Sequence, residues 1–186
     1  MDIIPPPIQV TQRGLEGTEV STSQRTLGDI QSIFADQEAL NSLDLDQKAY
    51  EVACYFPVGQ GKEGGLFYGF TTLYPGKVGK EYFMTKGHFH QKIDTGEFYW
   101  GVSGKGALLF MDLNRKVWAE EMKPGSLHYI PGRVAHRTIN TGDEPLIFGA
   151  CWPSDAGHNY ETIQQQGFAA RIKEVDGAPK IVIPEN

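Results

Sequence analysis

The residues of this chain best suited to chemistry lie in the run Thr85-Lys86-Gly87-His88-Phe89-His90, with Glu97 shortly after it and His136 much later. His88 and His90 are two apart, so on an extended strand both imidazoles leave the same face. Glu97 and Tyr99 repeat that spacing on the next strand-like run, beyond a polar turn at Asp94-Thr95-Gly96. Three imidazoles and one carboxylate form a ligand set for Fe(II), Mn, Co, Ni or Zn rather than for Ca or Mg. A metal held this way with open positions can act as a Lewis acid or can activate water or dioxygen, and the ligand list alone does not choose. Beside it, Thr71, Thr72, Thr85, Lys86 and Gly87 offer hydroxyl, ammonium and backbone N–H donors to an anion.

These side chains need a scaffold of short strands. From Tyr50 onward the chain breaks into runs rich in aromatic and β-branched residues, near 50–57, 66–74, 80–84, 87–91, 97–102, 106–112, 116–121, 126–131, 135–139 and 145–152. Turn chemistry separates them at Pro75-Gly76, Gly101 to Gly106, Lys123-Pro124-Gly125 and Thr141-Gly142-Asp143. Many short strands at this spacing predict an antiparallel sandwich or barrel. Upstream, Thr26 and Asp29 resemble a capping box, and Leu27, Ile30, Ile33 and Phe34 recur at helical spacing, which predicts one or two short helices across 27–43. Residues 1–25 show no sustained period and read as an extended arm laid over the barrel. A helical turn near 160–166 and a strand at Ala178 to Pro184 complete the prediction.

Composition narrows the function classes. At 186 residues one core is the default. A net charge of −6 with dispersed Lys and Arg argues against nucleic acid and anionic membranes as partners. No segment approaches the length of a membrane span, and the N-terminus lacks a basic region followed by an apolar run, so a cytoplasmic protein is expected. Two cysteines, Cys54 and Cys151, stand in apolar runs and are expected to be buried thiols.

Two patterns carry a resemblance. His88-x-His90, six residues, Glu97, six residues, Gly104 is followed by Gly125, five residues, Pro131, four residues, His136, three residues, Asn140. Both halves, in this order, resemble the two-part signature of the cupin superfamily. Leu73-Tyr74-Pro75-Gly76-Lys77-Val78-Gly79-Lys80-Glu81, Thr85 to His90, Glu97-x-Tyr99, Ala135-His136-Arg137-Thr138, Gly142-Asp143-Glu144-Pro145 and Asp155-Ala156-Gly157-His158-x-Tyr160 resemble more narrowly the cupin-type glucose-6-phosphate isomerases of archaea and some bacteria. The likeness runs from about residue 26 to about residue 170. It implies an all-β cupin, a double-stranded β-helix or jelly-roll barrel, with short N-terminal helices and an extended arm. One cupin domain over 1–186 is expected, with the arm and helices in 1–45, the barrel in 50–152 and a C-terminal extension in 153–186.

The resemblance also implies roles. His88, His90, Glu97 and His136 would ligate a divalent metal, Fe(II) in first place, with Mn, Ni, Co or Zn as the others. Thr71, Thr85, Gly87 and Tyr50 would hold a phosphate, and Tyr99, His158 and Tyr160 a sugar; Trp100, one residue off that face, would pack outside. Arg133 and Trp152 stand where some archaeal members carry tyrosines. A homodimer is expected on the same ground. The implied reaction interconverts glucose 6-phosphate and fructose 6-phosphate, with Glu97 and His136 as catalytic residues and Glu97 as the candidate proton carrier between C2 and C1. A cation beside Glu97 weakens it as a base, which keeps a direct hydride shift open. Other cupin outcomes are a non-haem iron dioxygenase, a non-catalytic sugar-phosphate binder and a mannose-phosphate isomerase.

Overall fold

The computed structural model describes residues 2–11 and 14–184. In chain order it contains β1 (Gln9–Thr11), β2 (Gly14–Glu16), β3 (Val20–Thr26), a 3-10 helix (Gly28–Ile33), α1 (Gln37–Asn41), β4 (Lys48–Tyr55), β5 (Leu66–Leu73), β6 (Lys77–Val78) and β7 (Glu81–Tyr82). There follow β8 (Glu97–Ser103), β9 (Gly106–Asp112), β10 (Val117–Met122), β11 (Leu127–Ile130), β12 (Val134–Asn140), β13 (Leu146–Pro153), α2 (Glu161–Gln166), β14 (Arg171–Val175) and β15 (Ala178–Val182). The fold is all-β, as expected. A six-stranded antiparallel sheet, β11-β8-β13-β5-β4-β3, and a three-stranded one, β10-β9-β12, share one apolar core.

Side-chain alternation explains why these strands pair. On β5, Phe67, Gly69 and Thr71 point inward, while Phe70 lies on the outer face against Trp100. Trp100 lies flat over Gly149, where a Cβ would stand 2.1 Å from its ring, so only glycine fits there. The outside position expected for Trp100 is the one observed. On β9 both faces are buried, because the outer side meets the C-terminal segment: Ala169 N–H donates to Met111 Sδ at 3.2 Å. Phe110 stacks on Trp118 with centroids 5.1 Å apart.

The capping box forms as the sequence suggests, with Thr26 N–H donating to Asp29 Oδ2 at 2.9 Å and Asp29 N–H to Thr26 Oγ1 at 3.3 Å. The helices are pinned to the C-terminal segment by Glu81, only 1% exposed. Its carboxylate accepts from Arg171 at 2.7 Å and from the Ala35 N–H at 3.1 Å. Removing one partner of such a buried pair costs about 3–5 kcal/mol.

Four expectations need correction. Within the arm predicted for 1–25, the β1–β2 hairpin packs on the outside of β4 and β5, but Val20–Thr26 is a true edge strand paired with β4. Its run Val-Ser-Thr-Ser-Gln-Arg-Thr carries no apolar alternation, because one face borders a polar cavity and the other meets solvent. Residues 87–91 do not form a strand; they touch β12 and the loop before α2 through single bridges. Strand β14 lies in the extension where no strand was predicted, joined to β15 by Asp176-Gly177. Finally, Cys54 and Cys151 are half-buried free thiols on β4 and β13, with β5 between them. Two strand spacings, roughly 9–10 Å, separate them, too far for a disulfide.

Candidate metal centre and sugar-phosphate pocket

The three elements that supply the candidate ligands meet inside the barrel. His136 occupies the middle of β12, and His88 bridges it through reciprocal backbone bonds of 3.2 and 3.1 Å. His90 follows two residues on, with its ring 5.6 Å from that of His88. Glu97 opens β8 immediately after the Asp94–Gly96 turn. The turn has a second effect: its Thr95 carbonyl lies 2.7 Å from His90 Nδ1. A carbonyl can only accept, so His90 carries its proton on Nδ1 and presents a lone pair from Nε2.

One donor atom from each of His88, His90, Glu97 and His136 falls within 4.8 Å of the others, and all four residues are buried. Glu97 Oε1 is 2.7 Å from His136 Nε2 and 3.1 Å from His90 Nε2. An ionised carboxylate facing the His90 lone pair calls for a cation between them. His88 Nε2 and His136 Nδ1 are buried with no hydrogen-bond partner among the described residues. The donor set therefore fits a divalent metal.

With no cation between them, Glu97 and His90 stabilise each other's charged forms. Burial pushes the Glu97 carboxyl up, but His136 and His90 outweigh it and hold the group down at about 2. Burial opposes a proton on His90, yet the Glu97 carboxylate raises it. Burial and the neighbouring imidazoles of His136, His158 and His90 keep His88 well below its ordinary value, so it stays neutral and able to ligate. Burial also raises Tyr99 and Tyr50 and pushes Tyr160 up to about 12, so these phenols remain protonated donors.

The cluster opens onto a cavity of about 520 Å³. Tyr50, Thr71, Thr85, Gly87, Tyr99, His158 and Tyr160, named from sequence, all lie on its wall. Thr72 points the other way, to the outer face of the sheet. His158 packs edge-on against His88 with centroids 4.4 Å apart and stacks on Tyr160, both held by backbone bonds between Asn159 and Phe89 of 2.8 and 3.2 Å. The Tyr99 hydroxyl lies 3.4 Å from His136 Nε2. Trp152 lines the cavity, whereas Arg133 stays on the surface, paired with Asp94 at 2.6 Å. Sequence reasoning missed Arg25, whose side chain reaches the cavity mouth from β3, and the apolar end formed by Val52, Phe56 and Phe67.

With this geometry in place, comparison with known proteins separates the possibilities. A profile described as "Glucose-6-phosphate isomerase (GPI)" matches residues 24–181. The chain belongs to the glucose-6-phosphate isomerase family. It is 47% identical over 159 residues to the glucose-6-phosphate isomerase of Thermococcus kodakarensis, spanning 85% of this chain and 83% of that one. The enzyme of the same name from Thermococcus litoralis is 46% identical over 166 residues, 88% of this chain and 85% of its own. A bacterial member, the putative glucose-6-phosphate isomerase 2 of Rhizobium meliloti, is 33% identical over 166 residues, 86% of this chain and 82% of its own. Among solved structures, oxalate decarboxylase from Bacillus subtilis superposes with a TM-score of 0.47 at 20% identity, covering 64% of this chain and 29% of that one. That distant likeness carries no argument about this family member's chemistry.

Proposed function

We propose that this family member is a metal-dependent aldose–ketose isomerase that interconverts glucose 6-phosphate and fructose 6-phosphate. The observation that carries the reading is the four-donor cluster, opening onto a cavity whose wall also holds Thr85, Gly87 and Tyr50 as donors for a phosphate. A divalent cation bound by His88, His90, Glu97 and His136 would supply Lewis acidity, stabilising negative charge on the C1 and C2 oxygens. Fe(II) is the favoured ion, with Mn, Ni, Co and Zn suited to the same donors.

The chain's own residues do the rest. The Thr85 hydroxyl, the Gly87 N–H and the hydroxyls of Thr71 and Tyr50 anchor the phosphate and set the distance to C1 and C2. His158, Tyr160 and Tyr99 pack against the sugar, and the Tyr99 hydroxyl, close to His136, donates to a sugar oxygen. Glu97 is the carboxylate assigned to move the proton between C2 and C1. His136 holds Glu97 ionised and aligned.

The same reading takes the protein to be a cytoplasmic homodimer acting in glycolysis and gluconeogenesis. No described helix is long and apolar enough to cross a membrane. Phe98, Leu127 and Tyr129 are 46%, 67% and 56% exposed on the outer face of β8 and β11, an apolar strip that a second copy would cover.

The experiment compares fructose 6-phosphate with fructose on the metal-loaded protein, following product with glucose-6-phosphate dehydrogenase for the first and by direct sugar analysis for the second. Turnover of the phosphorylated sugar at a kcat/KM at least about a hundredfold higher is expected, because a phosphate held by several donors contributes about 3 kcal/mol or more. Equal turnover of both sugars, or none of either, contradicts the reading.

A further inference from the structure

The segment from Met84 to His88 runs antiparallel to β12 but out of step with it. Met84 faces Ile139 and His88 faces His136, so four steps (84 to 88) oppose three (136 to 139). One residue is extra, as in a β-bulge, and the local backbone groups need other partners. Thr85 N–H donates to the Thr138 carbonyl at 2.9 Å, and Thr138 N–H returns to Thr85 Oγ1 at 3.0 Å. Because Thr85 Oγ1 accepts that bond, its own proton is free to donate. The Lys86 carbonyl accepts from Arg137 Nη2 at 2.6 Å. Gly87, at φ +74°, turns the chain back, and its N–H takes no acceptor among the described residues.

Arg137 is unusual in its surroundings. It is 5% exposed, stacks 4.3 Å from the Phe168 ring centroid, and places Nη1 3.1 Å from Met84 Sδ. Its Nε has no hydrogen-bond partner and lies 3.0 Å from where a Gly87 Cβ would stand. No carboxylate pairs with it among the described residues, and buried Glu81 is already taken by Arg171 and Lys173, at 2.7 and 4.0 Å. A buried guanidinium without a counter-ion is costly unless an anion arrives to face it.

We propose that Arg137 is the positioning residue of the phosphate subsite. It ties the Lys86 carbonyl back, so that the Gly87 N–H and the Thr85 hydroxyl face the cavity. Its unpaired charge stands directly behind that loop and acts as the counter-charge of the phosphate dianion. Recognition of the phosphorylated over the free sugar thus depends on a residue that touches neither. This inference rests on the sugar-phosphate reading above and adds to it the device that orients the loop.

The test uses Arg137→Met and Arg137→Lys in the metal-loaded full chain, with inorganic phosphate as the probe. For Arg137→Met, the Kd of inorganic phosphate and the KM of fructose 6-phosphate should each rise about tenfold or more, with kcat and metal content within about twofold of the parent. Arg137→Lys keeps the charge and should recover most of both. Unchanged phosphate affinity in a folded Arg137→Met protein overturns the inference, as does a loss confined to kcat or metal content. Should the methionine variant not fold, NMR of the unmodified chain decides. The Arg137 Nε–H resonance, identified by its absence in Arg137→Lys, should shift as phosphate is added, and an unmoved resonance at saturating phosphate overturns the proposal. Phosphate titration needs no turnover. A chain that binds phosphate through Arg137 but isomerises nothing therefore upholds this inference while sinking the isomerase reading.

Discussion

Glu97→Gln, reloaded to full metal occupancy, is expected to turn fructose 6-phosphate over about 10²–10⁴-fold more slowly than the parent protein, the range lost when a positioned acid–base group is removed. The substitution keeps shape and one acceptor oxygen, so packing around a 5% exposed side chain is preserved. What it removes is the single carboxylate of the donor cluster and the ability to accept a proton. A carboxylate held at about 2 is a weak base in the free protein, which favours a hydride shift on driving force alone. The two routes separate cleanly in deuterated water. Proton transfer through Glu97 predicts deuterium in the product and the large loss in the variant. Near-normal turnover by Glu97→Gln, with the substrate hydrogen retained, would instead establish the shift and leave Glu97 as a ligand only.

The second large effect concerns His136→Ala. This residue is 1% exposed, pairs with Glu97 at 2.7 Å and is bridged by the backbone to His88. Losing an outer hydrogen-bond partner of a metal ligand already costs about 10–100-fold in affinity, so deleting this imidazole should weaken metal binding by more than a hundredfold. It also leaves the buried Glu97 carboxylate with His90 as its one remaining partner in the cluster. Elemental analysis after dialysis against trace metal should find the variant nearly metal-free, with turnover lost in proportion. Full metal content with lost turnover would mean that His136 acts on substrate without ligating. Full content with normal turnover would remove it from the centre altogether.

Much of this site was readable because its residues obey local rules. The i, i+2 spacings His88/His90 and Glu97/Tyr99 survive folding, although His88 and His90 stand on a bridged segment and not on a ladder strand. Turn chemistry at Asp94–Gly96 marked where β8 would begin, and there the Thr95 carbonyl also fixes the His90 tautomer. Less readable was anything set by long-range pairing. Arg25 belongs to a strand whose polar run gives no periodic signal, and only its register with β4 brings it beside Tyr50. Arg137 follows His136 on a strand buried along its whole length, so the sequence pattern does not tell a core position from a cavity-backing one. One local signal went unread. Asp176-Gly177, with φ of 52° and 72°, is a strong two-residue hairpin signal and announces β14 and β15 together.

The central claim, that this family member isomerises a sugar phosphate through a metal held by His88, His90, Glu97 and His136, is tested most directly by one assay. The protein is stripped with EDTA, then reloaded with Fe(II) or Mn(II), and fructose 6-phosphate conversion is followed through glucose-6-phosphate dehydrogenase. Activity that disappears on stripping and returns with metal is the predicted result. Undiminished activity in protein shown to be metal-free, or none in folded protein carrying one metal per chain, would contradict it.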